Sequence, residues 1–241
     1  MLYLVGLGLY DEEDMSLRAV NILKRCDSVY CEFYTGKWHG DLKKLEKISG
    51  KKIEVLPRKK VESDFLVDEA KASDVALLVP GDPLTATTHI ELMISAKKQS
   101  IGFSIIHSSS VYTAVAESGL LLYKFGRATT LVCPEKGYEP KSPYDVIKEN
   151  RKAGLHTLVL LDIKNDKLMT VKEATGLLTK NGAINKEERI VACSCLGSKE
   201  GKIEYNTASA LREKDLPVPS AILVPGKLNF KEEEALELWK N

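Results

Sequence analysis

Pro80-Gly81-Asp82-Pro83-Leu84 follows the apolar run Val75–Val79 and precedes Thr87–Lys98, where Ile90, Leu92, Met93 and Ile94 recur as on a helix. A short apolar run closed by Pro-Gly predicts a buried strand that ends abruptly. Gly81, Asp82 and Pro83 then occupy a strand-to-helix loop at the carboxyl end of a strand. In open α/β sheets that edge binds ligands. Glycine lets the backbone approach a ligand closely, and the two prolines stiffen the loop while withholding N–H donors. A carboxylate there can accept from ribose hydroxyls, an amine or an amide. Taken alone, the five residues read more simply as a tight turn with Asp as a turn residue.

Working outward, the same strand–helix alternation fills the first half. Leu2–Val5 is apolar and closed by Gly6-Leu7-Gly8; Leu17, Val20, Leu23 and Cys26 recur at helical spacing, with Asp14 or Ser16 as cap. Ser28–Tyr34 reads as a strand, Leu42, Leu45 and Ile48 as one face of a helix stopped by Gly50, and Ile53–Leu56 as a third strand. Ser63 is placed to cap a helix through Ala72, and Phe103–His107 closes the series as a strand. This pattern predicts a mainly parallel sheet with helices on its faces. His107-Ser108-Ser109-Ser110 interrupts it, so the domain join is set here, giving an amino-terminal α/β domain over 1–108 and a carboxy-terminal α/β domain over 109–241.

Past the join, a short helix over Val111–Ser118 ends at Gly119. Thr129–Cys133, His156–Ile163, Arg189–Leu196, Lys202–Asn206 and Ala221–Val224 read as strands. Ser142–Lys152, Thr170–Asn181, Ala208–Lys214 and Lys231–Lys240 read as helices. Strands follow strands more closely in this half, which predicts a mixed sheet.

Lys and Arg number 35 against 34 Asp and Glu, so no general field favours nucleic acid or an anionic membrane. No apolar run approaches the roughly 20 residues a membrane span needs, and no charged leader precedes Leu2. Cys26, Cys31, Cys133, Cys193 and Cys195 are odd in number and scattered, as in a reduced cytosolic protein. Cys193 and Cys195 are placed on one face of a strand, in the core. His39, His89, His107 and His156 match no zinc-ligand spacing, and no metal is expected.

Gly6-Leu7-Gly8 lacks the third glycine of a dinucleotide fingerprint, having Asp11 there, and the following helix starts too late to meet a pyrophosphate. Gly197-Ser198-Lys199-Glu200-Gly201-Lys202-Ile203 is one residue short of a P-loop and has no hydroxyl after its Lys. Ser108, Ser109 and Ser110 have no nucleophile elbow around them. Serines at a domain join, with Thr85, Thr87, Thr88 and His89 after the central loop, point to a polar small molecule in a cleft. They name no reaction.

Several stretches, in chain order, resemble one family. Gly6-Leu7-Gly8-Leu9-Tyr10-Asp11, Cys31-Glu32-Phe33-Tyr34-Thr35 and Pro80-Gly81-Asp82-Pro83-Leu84 with Thr87-Thr88-His89 are similar to the archaeal diphthine synthases. So are Tyr123-Lys124-Phe125-Gly126, Tyr144–Asn150, Gly154-Leu155-His156-Thr157, Leu161-Asp162-Ile163-Lys164 and Val224-Pro225-Gly226-Lys227-Leu228. The resemblance implies the tetrapyrrole methylase-like fold: two α/β domains, the first sheet mainly parallel and the second mixed, with S-adenosylmethionine in the cleft between them. It implies transfer of methyl groups to the amino group of a 3-amino-3-carboxypropyl-histidine of translation elongation factor 2, giving diphthine and S-adenosylhomocysteine. A cytoplasmic homodimer that contacts neither membrane nor nucleic acid is implied too.

Carried over by position, the cofactor site would use Leu9, Asp82, Thr85, Ser110, Val111 and Leu161, with Tyr205 and Asn229. The family more often has His where Asn229 stands. No catalytic base stands out. Two other readings stay open: a related methylase acting on a corrinoid or other tetrapyrrole precursor, and a non-catalytic domain that binds a nucleoside-type metabolite.

Overall fold

The computed structural model describes residues 1–135, 137–164 and 167–240. Its contacts divide the chain into two compact units, Met1–Val111 and Tyr112–Asn241.

The first unit is built on strands β1 (Leu2–Gly6), β2 (Ser28–Cys31), β3 (Ile53–Val55), β4 (Val75–Val79) and β5 (Phe103–Ile106). They form one sheet in the order β3-β2-β4-β1-β5, with every pair parallel. Between them run α1 (Leu17–Leu23), α2 (Leu42–Ser49), α3 (Arg58–Val61), α4 (Phe65–Glu69) and α5 (Ile90–Lys98). Alternate strand residues separate two cores, as the pleat requires. Val5, Val29, Cys31, Ala76 and Leu78 pack with Leu23 of α1 and Leu45 of α2. Leu2, Leu4, Tyr30, Leu77 and Val79 pack on the other face with Val61, Leu66 and Leu92 from α3, α4 and α5. A sheet covered on both faces needs apolar residues at every position of its central strand. That is why Val75–Val79 reads as an unbroken run, and all five residues are buried.

The second unit begins with α6 (Val111–Ala114), whose first residue closes the first unit, and continues through β6 (Thr129–Leu131), α7 (Ser142–Lys152) and β7 (Thr157–Leu161). A two-residue-per-strand hairpin follows, β8 (Ile163–Lys164) with β9 (Lys167–Leu168), then α8 (Val171–Lys180), β10 (Arg189–Ser194), β11 (Lys202–Thr207), α9 (Ala208–Arg212), β12 (Ser220–Val224) and α10 (Phe230–Leu236). The main sheet runs β11-β10-β12-β7-β6; only β6–β7 is parallel, across the α7 crossover. The sheet is mixed, as expected. Its core gathers Tyr144 and Ile147 of α7, Leu178 of α8 and Leu211 of α9 against Val159, Ala192 and Ile222.

Several boundaries differ from the sequence reading, each for a local reason. Of the helix expected from Ser63 to Ala72 only α4 forms, over Phe65–Glu69, and the separate turn α3 precedes it; the Ser63 hydroxyl bonds back to the Lys60 carbonyl at 2.7 Å and closes α3. Of the two caps offered for α1, Ser16 does the work, accepting from the Ala19 N–H at 3.1 Å, while Asp14 accepts from the Tyr10 N–H at 2.6 Å. The strand expected over Ser28–Tyr34 stops at Cys31, where the Glu32 carboxylate takes the amides of Tyr34 and Thr35 away from the ladder. Cys195 is buried but lies past the end of β10, at φ 48°, so it shares no strand face with Cys193. Ile163, expected to end the strand from His156, instead pairs with Leu168 in the short β8–β9 ladder.

Candidate active site

β1, β4 and β5 are adjacent and parallel, so the loops leaving Gly6, Val79 and Ile106 meet at one edge of the first unit. Leu7 donates its N–H to the Val79 carbonyl at 2.8 Å. Gly8 and Gly81 exchange N–H···O bonds of 3.2 and 2.9 Å, and the Leu9 N–H donates to Ser109 Oγ at 3.2 Å. The approach is close enough to demand glycine: a Cβ on Gly6 would stand 2.6 Å from the Gly81 carbonyl oxygen and 2.7 Å from Ser108 Cβ.

Asp82 ties these loops together. Its Oδ1 accepts from the Leu84 N–H at 3.0 Å and the Thr85 hydroxyl at 3.4 Å. Its Oδ2 accepts from His107 Nδ1 at 2.7 Å and the Ser108 N–H at 3.3 Å. The Asp82 side chain is 10% exposed, against 69% for His107. Four donors already engage the carboxylate, so it shapes the loop, with the half-buried Leu84 and Thr85 beside it.

Leu9, Asp82, Thr85, Ser110 and Val111 are thus brought to one edge, on the loops after β1, β4 and β5. Three other candidates belong to the second unit, and there the structure separates them. Leu161 ends β7, whose Leu160 sits opposite Ala221, whereas Asn229 follows β12 beyond Val224, which sits opposite Thr157. Leu161 and Asn229 therefore lie toward opposite ends of the β7–β12 pair. Tyr205 is on the edge strand β11, opposite Val191, with the Arg189 guanidinium 5.6 Å from its ring centroid. Burial raises the Tyr205 phenol above its usual range.

Asn229 has a definite task. Its side chain accepts from the Lys231 and Glu232 N–H groups at 3.0 Å each, and Glu232 returns a bond to the Asn229 N–H, which makes a capping box for α10. Glu232 is fully buried and also accepts from the Leu121 N–H, from Lys124 Nζ and from His156 Nε2 at 2.8 Å. His156 Nδ1 accepts from the Gly226 N–H at 2.8 Å, which places the ring proton on Nε2. Burial alone would raise the Glu232 carboxyl; the bonds from Lys124, Asn229 and His156 outweigh it and hold the group at about 2.

A second buried cluster, next to the central loop, joins Glu32, from the Cys31–Thr35 stretch quoted for the family resemblance, to the neighbourhood of His89, which the sequence placed after that loop. Glu32, fully buried, accepts from the Tyr34 N–H at 2.9 Å, the Thr35 N–H at 3.1 Å and the Thr35 hydroxyl. His89, also buried, sets Nδ1 3.2 Å from the Pro83 carbonyl and Nε2 3.3 Å from the Tyr34 hydroxyl and 3.8 Å from Glu32 Oε1. Residues so far apart in sequence share no spacing rule. The signal available was an acid placed directly after the apolar strand Val29–Cys31.

The donor set at the edge discriminates between ligands. Every amide from Leu7 to Tyr10 is bonded within the protein, so none forms a phosphate nest. The loops Leu7–Tyr10, Pro80–Thr85 and His107–Val111 contain no Lys or Arg, while they carry a carboxylate, hydroxyls and carbonyls. That set offers no Lys or Arg to pair with a phosphorylated cofactor. Among the described residues, no three His, Cys, Asp or Glu side chains gather as a metal site.

Residues 1–212 match the tetrapyrrole (corrin/porphyrin) methylases. A diphthine synthase from Methanocaldococcus jannaschii is 45% identical over 98% of this chain and 98% of that protein. One from Methanococcus aeolicus is 43% identical over 98% and 97%. The chain belongs to the diphthine synthases, within the tetrapyrrole methylase family. A crystal structure of a diphthine synthase agrees with the whole fold at a TM-score of 0.92, with 34% identity over 99% of this chain and 95% of that one. The two α/β sheets, one parallel and one mixed, are those of the tetrapyrrole methylase fold.

Proposed function

We infer that this protein is a methyltransferase that uses S-adenosylmethionine to methylate the amino group of the 3-amino-3-carboxypropyl-histidine of translation elongation factor 2, forming diphthine. The full-length identity to diphthine synthases carries the reading, since it spans both units rather than a cofactor-binding half. The site chemistry supports it, because an edge without Lys or Arg favours a cationic sulfonium over a phosphate.

When bound, S-adenosylmethionine supplies a methyl group on a sulfonium, which the acceptor amine displaces with loss of a neutral thioether. The protein's part is alignment and exclusion of water. The Gly8–Gly81 pair fixes the floor of the edge, Asp82 holds Leu84 and Thr85 in place, and Leu9 is set by Ser109. Ser110 and Val111 contribute from the loop after β5. Leu161, Tyr205 and Asn229 are proposed to serve from the second unit, Asn229 through its backbone because its side chain is engaged as a cap. No residue is assigned as general base; solvent takes the proton that each methylated ammonium must lose before the next transfer.

The proposal includes a homodimer acting in the cytoplasm. Among the described residues, no helix is long and apolar enough to cross a membrane. The deciding experiment is mass spectrometry of elongation factor 2 carrying the unmethylated side chain, after incubation with the protein and S-adenosylmethionine. Stepwise gain of methyl masses with matching release of S-adenosylhomocysteine is expected. Release of S-adenosylhomocysteine only with a corrinoid precursor would overturn the assignment of substrate.

A further inference from the structure

The central loop is clamped on both sides, and only one clamp belongs to the site described above. Toward β5, Asp82 binds His107 and Ser108. Toward β2, the Pro83 carbonyl accepts from the Thr87 hydroxyl at 2.6 Å and faces His89 Nδ1 at 3.2 Å. A carbonyl can only accept, so His89 Nδ1 carries a proton and donates it. Nε2 is then the atom turned toward the Tyr34 hydroxyl and Glu32 Oε1. Glu32 in turn draws in the amides of Tyr34 and Thr35, the start of the loop after β2. Glu32 and His89 are 0% and 2% exposed, too deep to meet a substrate, yet a short path of bonds links them to the loop that carries Asp82 and Thr85.

We propose that Glu32 and His89 are positioning residues for cofactor binding: His89 holds the Pro83 carbonyl, the Tyr34 hydroxyl donates to His89 Nε2, and Glu32 holds the Tyr34 amide. This rests on the reading of the edge as the S-adenosylmethionine site. The surroundings agree with a dedicated pair. Burial lowers the affinity of His89 for a second proton and raises the Glu32 carboxyl to about 7. The other ionisable groups near the pair are Tyr34, Cys31 and Glu62, with the Arg58 guanidinium 5.6 Å from the Tyr34 ring centroid.

The test is calorimetric titration with S-adenosylhomocysteine, run beside the cofactor KM and kcat, on folded variants. His89→Phe keeps the ring volume and removes the donor, and Glu32→Ala removes the support. Each is expected to weaken binding about tenfold, the scale of one lost hydrogen bond, and to raise the cofactor KM more than it lowers kcat. His89→Asn places an amide where Nδ1 stands, and Glu32→Gln keeps an oxygen for the Tyr34 and Thr35 amides, which set the Tyr34 hydroxyl against Nε2. Both should restore most of the lost affinity. If Phe at this buried position compromises folding, His89→Gln leaves the Pro83 carbonyl short of its donor and carries the same expectation.

Wild-type affinity in folded His89→Phe or His89→Gln, or His89→Asn no better than His89→Phe, overturns the proposal. Failure of the wild-type protein itself to bind S-adenosylhomocysteine would instead overturn the cofactor assignment, so the two outcomes are separable.

Discussion

His107 Nδ1 lies 2.7 Å from Asp82 Oδ2, joining the first residue after β5 to the loop after β4 across the end of β1. The pair sets a partly exposed imidazole against an almost buried carboxylate, and the Ser108 amide shares the same oxygen. Three neighbouring strand ends are held as one surface by this carboxylate together with the Gly8–Gly81 exchange.

Asp82→Ala should leave a folded protein with a loosened edge. It strips the Leu84 and Ser108 amides of their acceptor, costing about 1–3 kcal/mol. Cofactor affinity should fall more than for His107→Ala, since an exposed partner contributes only about 0–1 kcal/mol. Circular dichroism and calorimetric titration with S-adenosylhomocysteine check this. Equal losses for the two variants would show that the imidazole, not the amide bonds, organises the loop.

Gly6→Ala should be worse for binding than its size suggests. The added Cβ meets the Gly81 carbonyl oxygen and Ser108 Cβ at once, neither of which is the free end of a flexible side chain. The three loops must part, and a loss of about 2 kcal/mol or more in stability is expected, as for overpacked sites. Thermal unfolding and the same titration measure it; a variant that binds as the wild type does would refute the tight stitching.

Much of the fold was legible because it rests on local chemistry. Val75–Val79 announces a central strand, and Gly50 and Gly119 stop helices at φ 68° and 89°, as their positions suggested. The site was half legible. Gly81 and Asp82 sit on a predicted sheet edge, and the Asp82 bonds to Leu84 and Thr85 are the turn read there, but those to His107 and Ser108 span 25 and 26 residues, and no periodicity encodes them. Glu32 and His89 lie in stretches the sequence had picked out, but the arrangement that brings His89 to Tyr34, 55 residues away, was hidden for the same reason. Asn229 shows the opposite case: its Asn-x-x-Glu spacing to Glu232 was readable as a capping box, which explains a polar residue there without a ligand.

Glu32 makes the first unit sensitive to rising pH. Burial raises its carboxyl from the ordinary 4.5 to about 7. A raised folded value means that its stabilising contribution is complete below about 4.5 and is lost as pH climbs through about 7, a difference on the order of 3 kcal/mol. Glu32→Gln has no charge to bury, so its stability should exceed that of the wild type at pH 8 and approach or fall below it at pH 5. Urea unfolding followed by the first unit's signal at the two pH values tests this. Parallel curves for the two proteins would mean that the acid is ionised at no cost.

Glu232 should impose the opposite dependence on the second unit. Its carboxyl is depressed to about 2 by Lys124, the Asn229 and Leu121 amides and His156, against the pull of burial. A depressed value stabilises above the ordinary 4.5 and loses that contribution as pH falls toward 2, again on the order of 3 kcal/mol. Glu232→Gln cannot receive both Lys124 and His156 as acceptor, and it weakens the α10 cap as well. It should therefore destabilise the second unit at pH 7 and remove most of the acid sensitivity between pH 5 and 3. The Trp239 indole donates to the Ser118 carbonyl at 3.1 Å in this same region, which makes its fluorescence a local reporter. Acid titration of that fluorescence in wild type and Glu232→Gln should show a transition in the first that is flattened in the second. An unchanged transition would assign acid lability to other carboxylates and leave Glu232 as a packing residue only.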